Sequence, residues 1–230
     1  MLRVKNLKKS FNFNSILSDL NFKVNKGEII HISGSNGVGK TTLLKIVAGI
    51  LSPEFGEVSI FNKDLLSRDC QEKKHILYWG HQPMIYPHLT VYENINFFLK
   101  MRNQTIPKDM DLILEKVNML TLKHNQCQNF SQGMFQRFNL LRFIIADWSL
   151  ALMDEPFSGL DIEAEELLLQ KISERKNQDK SMIIVSHNKS ILDNLSALKY
   201  AIKNRGLVKI LHLSLHDALP IGRASCRERV

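Results

Sequence analysis

The chain has 230 residues, 44% of them hydrophobic and 23% charged, with 11 Gly, 6 Pro and a net charge of +8. That profile excludes disordered and collagen-like classes, and the length is ample for a hydrophobic core. No run of about 18 apolar residues occurs and residues 1–9 lack the apolar stretch of a secretory signal, so neither a membrane span nor a leader is expected.

Short strands are predicted first, at residues 2–7, 22–24 and 28–33, the last carrying the apolar run Ile29, Ile30 and Ile32. A Gly-rich loop follows, then a helix over about 40–48 that Gly49 ends as a C-cap. Strands at 56–61 and 76–79 precede a helical stretch from about 82 to 146. Thr90-Val-Tyr-Glu93 is a capping box that opens a helix to about 102. A second helix is predicted over 109–119, and a third, capped by Ser131, to about 146. Alternation then returns, with a strand at 150–153 running into Asp154-Glu155 and a helix at 162–174. A strand at 181–185, a helix at 190–195, and strands at 198–202 and 207–211 close the chain. This order predicts an α/β fold over residues 1–212 with a helical subdomain at about 83–146.

Residues 213–230 show no apolar periodicity. With one choice of synonymous codons, residues 217–225 become their own reverse complement, as a sequencing adapter joined head to head would. This tail is expected to be non-native and is excluded from the fold reading. Cys70, Cys127 and Cys226 show no paired spacing, which predicts neither a disulfide framework nor a zinc site. The basic excess suits nucleotide, nucleic acid or an anionic membrane equally and decides nothing alone.

Gly34-Ser-Asn-Gly-Val-Gly-Lys-Thr41 matches G-x-x-x-x-G-K-S/T between a predicted strand and a predicted helix, the context that motif needs. Glycines let successive amides curl round phosphate oxygens, and the helix N-terminus adds its positive end. Lys40 would reach the β- and γ-phosphates, and the Thr41 hydroxyl would bind Mg²⁺. A chance Gly-rich turn is the competing reading, and the strand–helix context argues against it. At 150–155 four apolar residues run into two carboxylates. Asp154 would hold Mg²⁺ through water, and Glu155 could polarise an attacking water as general base.

Taken in order, these landmarks resemble the nucleotide-binding subunit of an ABC transporter, over about residues 1–210. The resemblance implies a P-loop NTPase of ABC type, with a mixed sheet core, an antiparallel β lobe and a helical subdomain. It implies ATP and Mg²⁺ as ligands, with Gly34, Ser35, Asn36, Gly37, Val38, Gly39, Lys40, Thr41 and Thr42 as the cradle. Phe11 stands where the family stacks an aromatic on adenine, with Phe13 as competitor. Gln82, in Gly80-His-Gln-Pro83, matches the glutamine that senses Mg²⁺ and the γ-phosphate. Phe130-Ser-Gln-Gly-Met134 occupies the signature position, usually Leu-Ser-Gly-Gly-Gln; Ser131 and Gly133 are kept, while Gln132 and Met134 depart and leave the strength of trans contacts open. Ser158-Gly-Leu-Asp161 fits the loop that crosses the dimer interface, and His187 the histidine that contacts the γ-phosphate.

The family works as a head-to-tail homodimer with ATP between one chain's P-loop and the other's Ser131 and Gly133, driving separate integral membrane subunits. That implies a peripheral location at the cytoplasmic face of the inner membrane, with no nucleic-acid partner. His81, Met84, Tyr86 and His88, around Gln82, are expected to face the membrane subunit. Residues 34–44, 78–83 and 89–94 are together similar to the cytochrome c biogenesis ATP-binding export family. That likeness implies haem-handling partners, and export of haem or release of a haem-loaded chaperone. No Cys-x-x-Cys-His occurs, so the chain shows no haem attachment signal of its own. The alternatives are another small ABC exporter, for drug or lipid, and a soluble ABC-type ATPase acting on DNA or ribosomes.

Overall fold

The structure, a computed structural model, describes residues 1–81, 84–187 and 195–210. In chain order its elements are β1 (Leu2–Phe11), β2 (Asn14–Val24), β3 (Ile29–Ser33), α1 (Lys40–Val47), β4 (Phe55–Ile60), β5 (Lys63–Asp64) and β6 (Ile76–Trp79). Then come α2 (Val91–Lys100), α3 (Met110–Lys116), α4 (Gln132–Ile145), β7 (Leu150–Asp154), α5 (Ile162–Asn177), β8 (Ser181–Val185), β9 (Leu198–Lys203) and β10 (Gly206–Lys209).

Two sheets form. One is antiparallel, in the order β2-β1-β4-β5; the other runs β10-β9-β3-β8-β7-β6, parallel except for the β10–β9 pair. The central parallel strands are mainly apolar because both faces are covered, with His31, Asp154 and Ser181 as buried polar exceptions. Their alternation shows what covers each face. Ile29, Leu77, Trp79, Ala151, Met153, Met182 and Ile184 pack with the helices α2–α5. Ile30, Ile32, Ile76, Leu150, Leu152, Ile183 and Val185 pack with α1 and the antiparallel sheet. Each fully buried large side chain contributes about 1.5–3 kcal/mol. The largest of them, Trp79, Trp148, Phe138 and Phe143, sit on the helical side. Trp79 Nε1 also donates to Gln136 Oε1 at 2.8 Å, tying α4 to the edge strand β6.

Three expectations need correction. The first two strands run far longer than 2–7 and 22–24, as a hairpin from Leu2 to Val24. Positive φ at Asn6 and Asp19 and the register shifts beside them break the alternation that a sequence reader follows. The helix predicted to 119 stops at Lys116, since Asn118 turns left-handed at φ 52°. The last strand covers 206–209 rather than 207–211. Most of the helix predicted at 190–195, Gln82 and the whole of 213–230 lie outside the described residues.

Candidate functional site

The loop between β3 and α1 and the ends of β7 and β8 converge because β3, β8 and β7 are adjacent and parallel. Their C-terminal ends therefore open on one side, where the N-terminus of α1 also points. The cavity there holds about 250 Å³. Asn36, Gly37, Gly39, Lys40, Thr41 and Thr42 line it from the loop, with Asp154, Glu155 and His187 from the strand ends. Phe11 and Ile16 close its outer wall. The sequence reading brought together all of these except Ile16, whose position on β2 depends on the misread hairpin.

Two glycines are required by the geometry. Gly37 has φ 77° and open space where a Cβ would stand, so its backbone faces the cavity unobstructed. Gly39, at φ 108°, is buried against β2, and a Cβ there would lie 2.7 Å from Ile16 and 2.8 Å from Leu17. Val38 turns away and packs on the core beneath the antiparallel sheet. Lys40 is buried, and its ammonium donates to the carbonyls of Gly34 at 2.7 Å and Ser35 at 2.9 Å. The charge is thereby held inside the ring of loop amides.

Thr41 Oγ1 donates to Asp154 Oδ2 at 2.6 Å, and Asp154 is 4% exposed. A hydroxyl and a carboxylate converging beside a phosphate-sized cradle are hard oxygen donors of the kind Mg²⁺ takes, so the residues present fit that ion. Glu155 follows in a left-handed conformation at φ 51°, fixed by its N–H donating to Val185 O at 2.9 Å. This turn sets its carboxylate against His187. The His187 N–H donates to Oε2 at 3.3 Å, and Nε2 lies 3.5 Å from Oε1. Oε1 is buried and has no hydrogen-bond partner among the described residues. Deeper in the sheet, burial and then the charge of Asp154 push the Tyr78 phenol up to about 12, so it stays neutral beside that carboxylate.

Of the two competing aromatics, Phe11 lines the cavity with the Lys9 ammonium 5.2 Å from its ring, while Phe13 is fully exposed. Ser131 and Gly133 do not line this cavity. Ser131 caps α4, accepting from the Met134 N–H at 3.3 Å, while Met134 Sδ accepts from the Ser131 N–H at 3.5 Å. The departure at Met134 thus replaces an oxygen acceptor with a weak sulfur one. Gly133 lies against the carbonyl of Gly159, in the loop expected at the dimer interface.

A second groove, of about 560 Å³, opens beside α2. Met84, Ile85, Tyr86, Phe97, Phe98 and Met101 give it an apolar lining. Met84 and Tyr86 were expected at such a surface; His81 and His88 do not line it. Phe97 and Met101 were missed, although two large apolar residues one turn apart on the outer face of a helix are a readable signal.

A strand, a Gly-rich loop curled over a buried lysine, and an Asp-Glu pair at the end of β7, one strand removed across β8, define a P-loop nucleotide-binding protein. The family model described as ABC transporter matches residues 17–158, and the chain belongs to that family. It is 32% identical over 210 residues to an Fe(3+) ions import ATP-binding protein of Haemophilus influenzae, covering 88% of this chain. It spans only 58% of that relative's length. A probable ATP-dependent transporter of Trieres chinensis is 32% identical over 212 residues, covering 84% of this chain and 83% of the relative. The lipopolysaccharide export system ATP-binding protein of H. influenzae is 30% identical over 194 residues, covering 82% and 80%. Among solved structures, an ATP-binding subunit of an ABC transporter superposes with a TM-score of 0.80 at 25% identity, covering 91% of this chain and 89% of that one. A dimeric ATP-binding cassette bound to ADP and Pi, at TM-score 0.79 and 22% identity, covering 91% and 98%, shares the fold.

Proposed function

We propose that this chain is the ATP-hydrolysing cassette of a membrane ABC complex. The observation that carries this reading is the Glu155 carboxylate, with one buried oxygen that has no hydrogen-bond partner among the described residues, beside Asp154 and Thr41 at the mouth of the P-loop cavity. Lys40 and the loop amides hold the triphosphate, and the Phe11 ring stacks on the base. Glu155 takes the proton from the attacking water, and His187 orients that carboxylate through its own N–H. Thr41 and Asp154, with Gln82 as the sequence expectation, would hold Mg²⁺, which would neutralise phosphate charge when bound. ATP turnover tests this. Glu155→Gln should keep ATP binding and slow hydrolysis at least about 100-fold; near-normal turnover removes Glu155 from the base role.

Ser131 and Gly133 stand outside the chain's own cavity, which supports a head-to-tail dimer in which each completes the partner's site. Among the described residues no helix is long and apolar enough to cross a membrane. The family resemblance supports integral membrane subunits as the partners that carry the transport path. The groove beside α2 is the surface we assign to them, at the cytoplasmic face of the cell membrane. For the cargo we propose haem handling in cytochrome c biogenesis, carried by the likeness of residues 34–44, 78–83 and 89–94 alone. Of the relatives described above, two are named for other cargoes, Fe(3+) ions and lipopolysaccharide, and one for none. Tyr86→Ala with Phe97→Ala should weaken membrane recruitment and cytochrome c maturation together. If recruitment fails while c-type cytochromes mature normally, the haem reading falls and a general exporter ATPase remains.

A further inference from the structure

From Ile29 to Ile32 β3 is buried at every position, and His31 is the polar side chain of that run, 1% exposed. It shares a face of the sheet with Ile29 and lies beside Ile184 of β8 in the parallel register. Both isoleucines belong to the core beneath the helices. An imidazole in such surroundings costs free energy unless its ring is hydrogen-bonded. The ring reaches the backbone just past the end of β8, where Nε2 lies 2.9 Å from the Ser186 carbonyl oxygen. A carbonyl only accepts, so Nε2 is the nitrogen that carries the hydrogen.

That carbonyl and the His187 N–H belong to one peptide unit. In a trans peptide the two groups point to opposite sides of a single plane. His31 holds one side of the plane, and from the other side the His187 N–H donates to Glu155 Oε2 at 3.3 Å. One residue earlier, the Val185 carbonyl accepts from the Glu155 N–H at 2.9 Å. Residues 185–187 therefore fasten both the backbone and the carboxylate of Glu155. The His187 ring is 55% exposed and can turn toward a ligand, whereas its peptide N–H is tied by the bond behind it. A carbonyl that accepts also makes its own amide a better donor, so the two bonds reinforce each other.

We infer that His31 is a positioning residue for ATP hydrolysis, clamping the Ser186–His187 peptide so that its N–H holds the Glu155 carboxylate at the angle needed for the attacking water. This rests on the reading of Glu155 as the general base. His31 itself does not line the nucleotide cavity. Without the clamp the peptide rocks and the carboxylate loses its set direction. Proton transfer suffers while ATP binding does not, so the loss belongs in kcat rather than KM.

The test is ATP turnover by the full chain carrying His31→Leu or His31→Gln. Leucine fills the space without a donor, and the glutamine amide places an N–H close to where Nε2 stood. His31→Leu should lower kcat about tenfold, the weight of one intramolecular hydrogen bond, with the KM for ATP within about twofold of the parent chain's. His31→Gln should recover most of that loss. The decisive arm repeats His31→Leu in a Glu155→Ala background, whose residual hydrolysis is read by single turnover of radiolabelled ATP. There it should cost nothing further, because the carboxylate it positions has gone. A merely structural histidine would lower turnover equally in both backgrounds. Unchanged kcat in His31→Leu, no recovery with glutamine, or an equal loss without Glu155 overturns the inference while Glu155 keeps its role. Near-normal turnover of Glu155→Ala alone removes the base assignment, and the inference with it. Ring-nitrogen NMR of the parent chain decides without any variant, should leucine prevent folding. A hydrogen on Nε2 is required, and a ring carrying it on Nδ1 alone overturns the clamp.

Discussion

Glu155 holds a left-handed backbone, φ 51°, that a side chain with a Cβ adopts at a cost of about 1–3 kcal/mol. The strain turns its carboxylate toward His187 and the cavity mouth rather than along the strand. Gly39 makes the complementary case: its φ of 108° and its contact with β2 leave no room for a methyl group. Gly39→Ala should destabilise the fold by about 1–3 kcal/mol and abolish ATP binding, read by thermal melting and by titration with a fluorescent ATP analogue. The aromatic pair gives a sharper contrast. Phe11→Ala should weaken ATP about tenfold, the roughly 1–1.5 kcal/mol of a lost ring stack, whereas Phe13→Ala should leave affinity unchanged. Equal effects of the two would remove Phe11 from the base-stacking role. At this scale the sequence is most informative where a site is continuous in the chain. Residues 34–42 and 154–155 fix their own local geometry and could be read directly. Ile16 and His31 owe their roles to packing between distant elements, and no local pattern announces those roles.

Elements in this protein are fastened at their corners by a few buried polar side chains. Asn94, within α2, holds the 86–90 loop through both its amide nitrogen and oxygen, and so shapes one wall of the groove. Asn94→Leu should leave those backbone groups unpaired at about 1–3 kcal/mol, and hydrogen exchange should accelerate at Tyr86 while the P-loop stays protected. The corner from α4 into β7 is fastened differently. There Lys180 donates to Asp147 at 2.6 Å, and this bond, opposed by partial desolvation, holds the Asp147 carboxyl below its ordinary range. A carboxyl lowered on folding stabilises the fold above its unfolded pKa, near 4, and loses that contribution as pH falls through the folded value. Lys180→Met should therefore lower the Tm at pH 7, with the gap to the parent chain closing as acid is added. A gap constant with pH would show that the ion pair adds no ionisation-linked stability. The central strands and the capped helices were legible because burial on two faces and capping chemistry leave strong patterns. The β1–β2 hairpin was not, because one face is solvated and its bulges at Asn6 and Asp19 shift the alternation mid-strand.

On the scale of the whole molecule, the nucleotide cavity and the α2 groove are both built on the sheet that runs through the middle. The cavity draws on the ends of β7 and β8, and the groove on α2 and α4, which pack on the helical face of the same strands. On the proposed docking of a membrane subunit, that shared support is the route by which a change at the phosphate end would reach it. We propose that residues 213–230 take no part in this. Truncation after His212 should leave the Tm, ATP affinity and turnover unchanged; loss of any of them would show the segment to be native.

The central claim is that each ATP is hydrolysed between two copies, one giving Lys40 and Glu155 and the other Ser131 and Gly133. Steady-state ATP turnover of two inactive variants, Lys40→Ala and Ser131→Arg, measured separately and after mixing, tests it most directly. Each alone should be inactive, and mixing should restore turnover, because a mixed dimer holds one site with an intact P-loop facing an intact Ser131. Full activity of Ser131→Arg alone, or no recovery when two folded preparations are mixed, Ser131→Arg still binding ATP, would contradict it.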